Sequence, residues 1–181
     1  ESSPLAASAH KVIRDLRALV QEGDHLLEIG AGSGAFTRRL ASRLARITVV
    51  EPSAAMRAEF AQLWDGAEIV ETVPVKWEDA PHQLADVIFG ANAFYRIRDI
   101  VAALQKMDRL ARRSVALVQS VGRPHANPLK VYLDGVSYER ERADVLCDVL
   151  GELDIPYRRR DYDISRPTEP SRAALIDRTP R

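Results

Sequence analysis

His25-Leu26-Leu27-Glu28-Ile29-Gly30-Ala31-Gly32-Ser33-Gly34 is a short apolar strand that ends in an acidic residue and runs directly into three alternating glycines. Glycines at this spacing let the backbone turn sharply and approach a ligand with no Cβ in between. The next residues, Ala35 to Leu44, read as a helix whose N-terminus faces that ligand. The segment therefore reads as a nucleoside-cofactor site in an α/β fold.

Two nucleoside chemistries compete for it. Gly30, Gly32 and Ala35 satisfy the G-x-G-x-x-A form of the dinucleotide fingerprint, with Glu51 about 20 residues further on. Against a dinucleotide stands Glu28, whose carboxylate at the end of the strand would repel a pyrophosphate but could accept hydrogen bonds from a cationic amine. The third glycine, Gly34, turns the pattern into G-x-G-x-G.

Outward from the glycines, the chain alternates elements in the rhythm of a mostly parallel sheet. Leu5 to Val20 places Val12, Ile13, Leu16, Leu19 and Val20 at helical spacing, and Gly23 ends that helix. Strands are predicted near 25–29, 46–50, 67–72, 85–89, 114–119 and 156–163. Ile47 to Ser53 is a second apolar strand ending in an acid, Glu51, and Ala85 to Asp99 reads as a fourth strand with its loop. Gly122 to Pro128 is an irregular loop after the fifth strand, and the tail from Arg166, with Pro167, Pro170 and Pro180, reads as an extended arm.

An acidic residue before G-x-G-x-G, followed in order by these segments over residues 24 to 120, resembles the class I S-adenosylmethionine-dependent methyltransferases. The resemblance implies a three-layer α/β/α Rossmann-like sandwich, with one domain over residues 1–165 and an arm over 166–181. It implies S-adenosylmethionine as cofactor and methyl transfer to a small-molecule acceptor. Glu28 would orient the amino-acid end of the cofactor indirectly, and Gly30, Ala31, Gly32 and Gly34 would give the close backbone approach. Glu51, followed by Pro52, would hold the two ribose hydroxyls, and Met56 and Trp77 would cover the adenine faces. Asn92 would sit beside the methionine moiety.

The chain departs from the family pattern in three places. Where an acid often follows the third strand, Lys76 stands, leaving Glu78 or Asp79 to meet the adenine amino group. Ala111-Arg112-Arg113-Ser114 replaces the usual glycines before strand five. After Tyr157 to Ile164 no convincing final antiparallel strand follows, which implies a shortened chain, or a sheet edge completed by a second copy or a partner subunit. The chain also does not begin with Met, which points to a trimmed N-terminus.

Composition narrows the partners. The 26 basic and 26 acidic residues cancel, so no global field draws the chain to nucleic acid or to an anionic membrane. No apolar run approaches the ~20 residues of a membrane span, and no signal peptide is visible. The single Cys147 excludes an internal disulfide and suits a cytoplasmic protein; in its apolar setting it reads as a packed thiol rather than a nucleophile. No His, Cys, Asp and Glu spacing suggests a metal site.

The acceptor is less legible. Asn92-Ala93-Phe94-Tyr95 lacks the Asn/Asp-Pro-Pro-aromatic motif of many amino-directed nucleic-acid and protein methyltransferases, which disfavours base methylation. Tyr95 and His125 are the candidate proton acceptors or substrate contacts, with His10 behind them; packing or surface roles are the simpler reading of each. Arg158-Arg159-Arg160 reads as the charged face of an edge strand before it reads as a phosphate site. Two other functions remain open: a non-catalytic subunit that binds the cofactor, and a nicotinamide-dependent dehydrogenase.

Overall fold

In the computed structural model, which describes residues 4–64, 68–94, 97–119 and 142–162, five strands lie in the order β3-β2-β1-β4-β5 and every pairing is parallel. The strands are β1 (Asp24–Ile29), β2 (Leu44–Val50), β3 (Val70–Val73), β4 (Ala85–Ala91) and β5 (Ala111–Val118). The helices are α1 (Pro4–Leu19), α2 (Thr37–Leu40), α3 (Ala54–Leu63), α4 (Ile100–Leu110) and α5 (Arg142–Glu152).

Parallel strands covered on both faces need apolar residues at successive positions, and β1 supplies them. Leu26 faces one layer with Ile47, Val49 and Phe89, under Val12 and Leu16 of α1, Leu40 of α2 and Phe60 of α3. Leu27 and Ile29 face the other with Val50 and Ile88, under Leu104 and Met107 of α4 and, at its margin, Leu146 and Val149 of α5. Burying each such side chain is worth about 2 kcal/mol, which places the stability of the sheet in its centre. At the amino end of the sheet Arg113 forks onto the buried Asp24 and also donates to the Leu19 carbonyl, tying β5, β1 and α1 together.

The three-layer α/β fold stands as predicted, with two local corrections. The helix expected over Ala35 to Leu44 is only α2, which tightens into a 3-10 turn at Ala41–Arg43. The cause is pairing: Leu44 already lies in register with Asp24, and the Arg43 carbonyl accepts from Gly23 N, so the sheet takes the chain before the helix can continue. The strand expected near 156–163 is not formed over its described part, residues 156–162, which make no ladder. Side chains hold that segment instead. Arg159 pairs with Asp144 and Asp161, while Arg160 and Tyr162 both reach Asp15 of α1, so Arg159 and Arg160 of the arginine run are committed to ion pairs. The loop Gly122 to Pro128 and the tail from Arg166 lie outside the described residues.

Candidate functional site

The three glycines after β1 adopt left-handed backbone, with φ of 67° at Gly30, 55° at Gly32 and 76° at Gly34. They do so for different neighbours. A Cβ on Gly30 would lie 2.9 Å from the Ala93 Cβ, and one on Gly34 would lie 2.8 Å from the Phe60 ring. Gly32 alone has nothing within 4 Å in that direction, so its open side is where a ligand can reach the backbone. Hydrogen bonds fix the turn: Gly30 N donates to the Val50 carbonyl at 2.9 Å, and Gly34 N to the Ala31 carbonyl at 2.9 Å.

That first bond brings the glycine turn against the end of β2, where Glu51 stands 8% exposed. Glu51 Oε1 accepts from Ser53 N at 2.9 Å, while Arg57 donates to the Glu51 and Pro52 carbonyls, so the carboxylate is held in one orientation. Ser53 caps α3 by accepting from Met56 N, which leaves Met56 half-buried on the first turn of the helix, beyond the exposed Pro52. Asn92, at φ 51°, directly follows β4 and donates its backbone N–H to the Val118 carbonyl at 2.8 Å, while its Oδ1 accepts from Gln119. The carboxyl ends of β1, β2 and β4 thus converge with Gly32, Glu51 and Asn92, at the strand ends where open α/β sheets bind ligands.

Glu28 lies beneath this surface. It is 1% exposed, its register neighbours are Val49 and Phe89, and it accepts a hydrogen bond from the Thr37 hydroxyl. Burial pushes its carboxyl up to about 7, and the Thr37 bond opposes that shift. Its carboxyl is therefore enclosed within the protein, bonded to Thr37 and not open to the surface.

Trp77 requires correction. Its indole is 2% exposed, Nε1 donates to the Ala103 carbonyl at 3.2 Å, and the Lys106 ammonium sits 4.6 Å from the ring centroid. The indole packs in the α4 layer and has no face to offer an adenine. Lys106 also donates to the carbonyls of Trp77 and Ala80 at 2.8 and 2.6 Å, shaping the turn that leaves Glu78 exposed after β3. His10 lines a groove on α1 with Arg14, Arg17 and Arg43, the last at the amino end of β2, away from the glycine turn. Tyr95 and His125 lie outside the described residues. Cys147 is half-buried on α5.

Sequence reasoning missed Thr37, Ser53 and Ala93. Ser53 carried a readable signal, an N-cap residue just before an apolar-periodic stretch. The contacts of Thr37 and Ala93 with Glu28 and Gly30 are tertiary, and no spacing encodes them.

Fold and site together define an α/β domain whose glycine turn, Glu51 and Asn92 gather at the carboxyl ends of its parallel strands. Residues 27–114 match a family model described as a methyltransferase domain. Over that stretch, just under half of its length, the chain is similar to methyltransferase domains. A search of the curated proteins finds no match.

Among solved structures, the N-methyltransferase NodS from Bradyrhizobium japonicum WM9, in complex with S-adenosylhomocysteine, is 20% identical with a TM-score of 0.62, covering 84% of this chain and 76% of its own. A protein from Anabaena variabilis, described as a putative methyltransferase from an antibiotic biosynthesis pathway, is 21% identical with a TM-score of 0.60, covering 79% of this chain. This chain spans 60% of that protein's length. A DhpI complex with S-adenosylhomocysteine is 23% identical with a TM-score of 0.54, covering 67% of this chain and 63% of that one. At these identities the likeness is one of fold. Among the described residues no helix is long and apolar enough to cross a membrane, and no group of His, Cys, Asp and Glu could hold a metal ion.

Proposed function

We propose that this chain transfers the methyl group of S-adenosylmethionine to a small-molecule acceptor. One observation carries the reading: Gly32 presents open backbone at the carboxyl end of β1, beside the oriented Glu51 carboxylate at the end of β2. A nucleoside laid across these two ends would rest on the glycine turn and give its ribose hydroxyls to Glu51. Pro52 and Met56 would border the adenine on one side, with the exposed Glu78 at its edge. Gly30, Ala31 and Gly34 would shape the turn, and Asn92 would border the methionine moiety. The bound cofactor supplies an activated methyl on a sulfonium. The residues bordering the cleft need only hold the acceptor in line and exclude water.

A small acceptor suits the balanced charge of the chain and the absence of an Asn/Asp-Pro-Pro-aromatic loop after β4. The same balance disfavours nucleic acid as partner. The cytoplasm is the proposed compartment, in keeping with a lone half-buried thiol. β5 ends the described sheet, and a second copy or a partner subunit completing that edge belongs to this proposal.

Calorimetric titration with S-adenosylmethionine, S-adenosylhomocysteine and NAD, against Glu51→Ala, tests the reading. Saturable binding of both adenosyl ligands, weakened at least tenfold in the variant, is the expected result. Binding of NAD alone would move the chain to the dehydrogenases. Absence of all binding in a folded sample would overturn the proposal.

A further inference from the structure

We propose that Thr37 is a positioning residue of the cofactor cleft: its hydroxyl, bonded to the buried Glu28 carboxyl, clasps the two ends of the glycine turn. The inference rests on the methyl-donor reading above and adds a residue to it. Thr37 is 0% exposed and donates to Glu28 Oε2 across the turn. The eight residues between them include all three glycines in left-handed backbone. The start of the turn is held by Gly30 N on Val50 and its middle by Gly34 N on Ala31, so the Thr37 bond closes the remaining side.

The local structure gives the hydroxyl no other task. α2 is four residues long, and its N-cap residue, Phe36, makes no side-chain capping bond. The Thr37 hydroxyl bonds to β1 instead. On the Glu28 side, the neighbours are apolar: Val49 of β2, Phe89 of β4, and, in the same layer, Val12 and Leu16 of α1 and Phe60 of α3. No charged group contributes to the behaviour of the Glu28 carboxyl, only its burial and the Thr37 donor. Removing that donor leaves a buried acceptor without its bond and frees the end of the turn.

Ionised Glu28 favours a cationic cofactor, so affinity is expected to rise with pH through the Glu28 titration. Because the Thr37 bond favours the ionised carboxyl, its loss moves that rise to higher pH. A purely structural role would lower affinity without moving the profile.

The experiment titrates wild type, Thr37→Val, Thr37→Ser and Glu28→Gln with S-adenosylmethionine and S-adenosylhomocysteine over a pH series, with melting curves to establish folding. Thr37→Val is expected to bind about tenfold more weakly, equivalent to the loss of one buried hydrogen bond, with its pH profile displaced upward. Thr37→Ser restores affinity to within about threefold and returns the profile, and Glu28→Gln flattens it. Wild-type affinity and profile in Thr37→Val overturn the inference, as does a serine variant no better than valine. If Thr37→Val does not fold, Thr37→Ser and Glu28→Gln decide: loss of affinity in the former, or an unchanged pH profile in the latter, overturns it. A folded wild type that binds neither ligand rejects the methyl-donor reading, and the clasp with it; a wild type that binds isolates the clasp as the point under test.

Discussion

Ala93, on the loop after β4, closes directly on Gly30 at the end of β1, where an added Cβ would lie 2.9 Å from its own. The contact joins two strand ends that border the proposed cofactor site, and it separates the glycines into two kinds. Gly30 is required by the protein's own packing, whereas Gly32 faces open space. Gly30→Ala is expected to cost roughly 2–3 kcal/mol from left-handed strain and the collision, lowering Tm by about 5–10 °C. Gly32→Ala carries the strain alone, about 1 kcal/mol, but its methyl occupies the ligand approach and should weaken S-adenosylhomocysteine binding at least tenfold. Melting curves and calorimetry on the pair would separate the two roles. Equal losses of affinity at equal stability would show the distinction to be mistaken.

Trp77 and Lys106 form a unit in the α4 layer. The indole N–H bonds to the Ala103 carbonyl, and the ammonium lies against the ring while bonding to the carbonyls of Trp77 and Ala80. Trp77→Phe should lower stability by about 1–2 kcal/mol, from one lost buried hydrogen bond and a weaker cation–π contact. Cofactor affinity should stay within about twofold. A large fall in affinity at unchanged stability would return the indole to the adenine site.

The sheet was legible because its signals are local. Leu26 and Leu27, and then Val49 and Val50, are consecutive apolar residues that a strand covered on both faces demands, and Gly30-x-Gly32-x-Gly34 dictates the turn that leaves β1. Glu28 and Glu51 were legible as acids at the ends of those strands. Trp77 was not, since an aromatic residue after β3 has the same sequence signature whether it faces a ligand or Lys106. The length of α2 was hidden as well, because pairing of Leu44 with Asp24 is a long-range event that overrides the helical preference of Ala41 to Arg43. The same holds for residues 156–162, where alternation suggested a strand but Asp15, far away in sequence, captures Arg160 and Tyr162.

Glu28 gives the cofactor-free protein a distinctive pH dependence. Its carboxyl titrates near 4.5 unfolded and is pushed up to about 7 in the fold by burial. Below pH 4.5 both states hold the proton, and the group adds nothing. Between 4.5 and 7 the folded state binds more protons, so its contribution to stability falls as pH rises, by on the order of 3 kcal/mol once pH exceeds 7. Glu28→Gln removes this slope while leaving an acceptor for Thr37. Urea denaturation of both proteins at about pH 5 and pH 8 is therefore expected to show a larger pH loss for wild type than for the variant. Parallel losses would mean that Glu28 is ionised throughout.

Asp15 anchors the segment that follows α5. Bonds from Tyr162, then Arg160, then Arg14 hold its carboxyl down to about 2. Because that lies below the ordinary value of 3.8, the anchoring is fully present above pH 3.8 and is lost as pH falls through 2. At neutral pH the same release should follow from Asp15→Asn, which removes the charge facing Arg160. Exposed ion pairs contribute little to global stability, so Tm should fall by no more than a few degrees. Local opening is the sensitive measure, and Arg158, Arg159 and Arg160 are themselves tryptic sites. Limited trypsinolysis is expected to cut the variant several-fold faster there, with S-adenosylhomocysteine affinity unchanged, because Asp15 stands on α1 and not at the carboxyl ends of the strands. An unchanged cleavage rate would assign the hold on this segment to Leu153 and Ile155, which pack against the α4 layer, and would leave the Asp15 cluster as surface pairing alone.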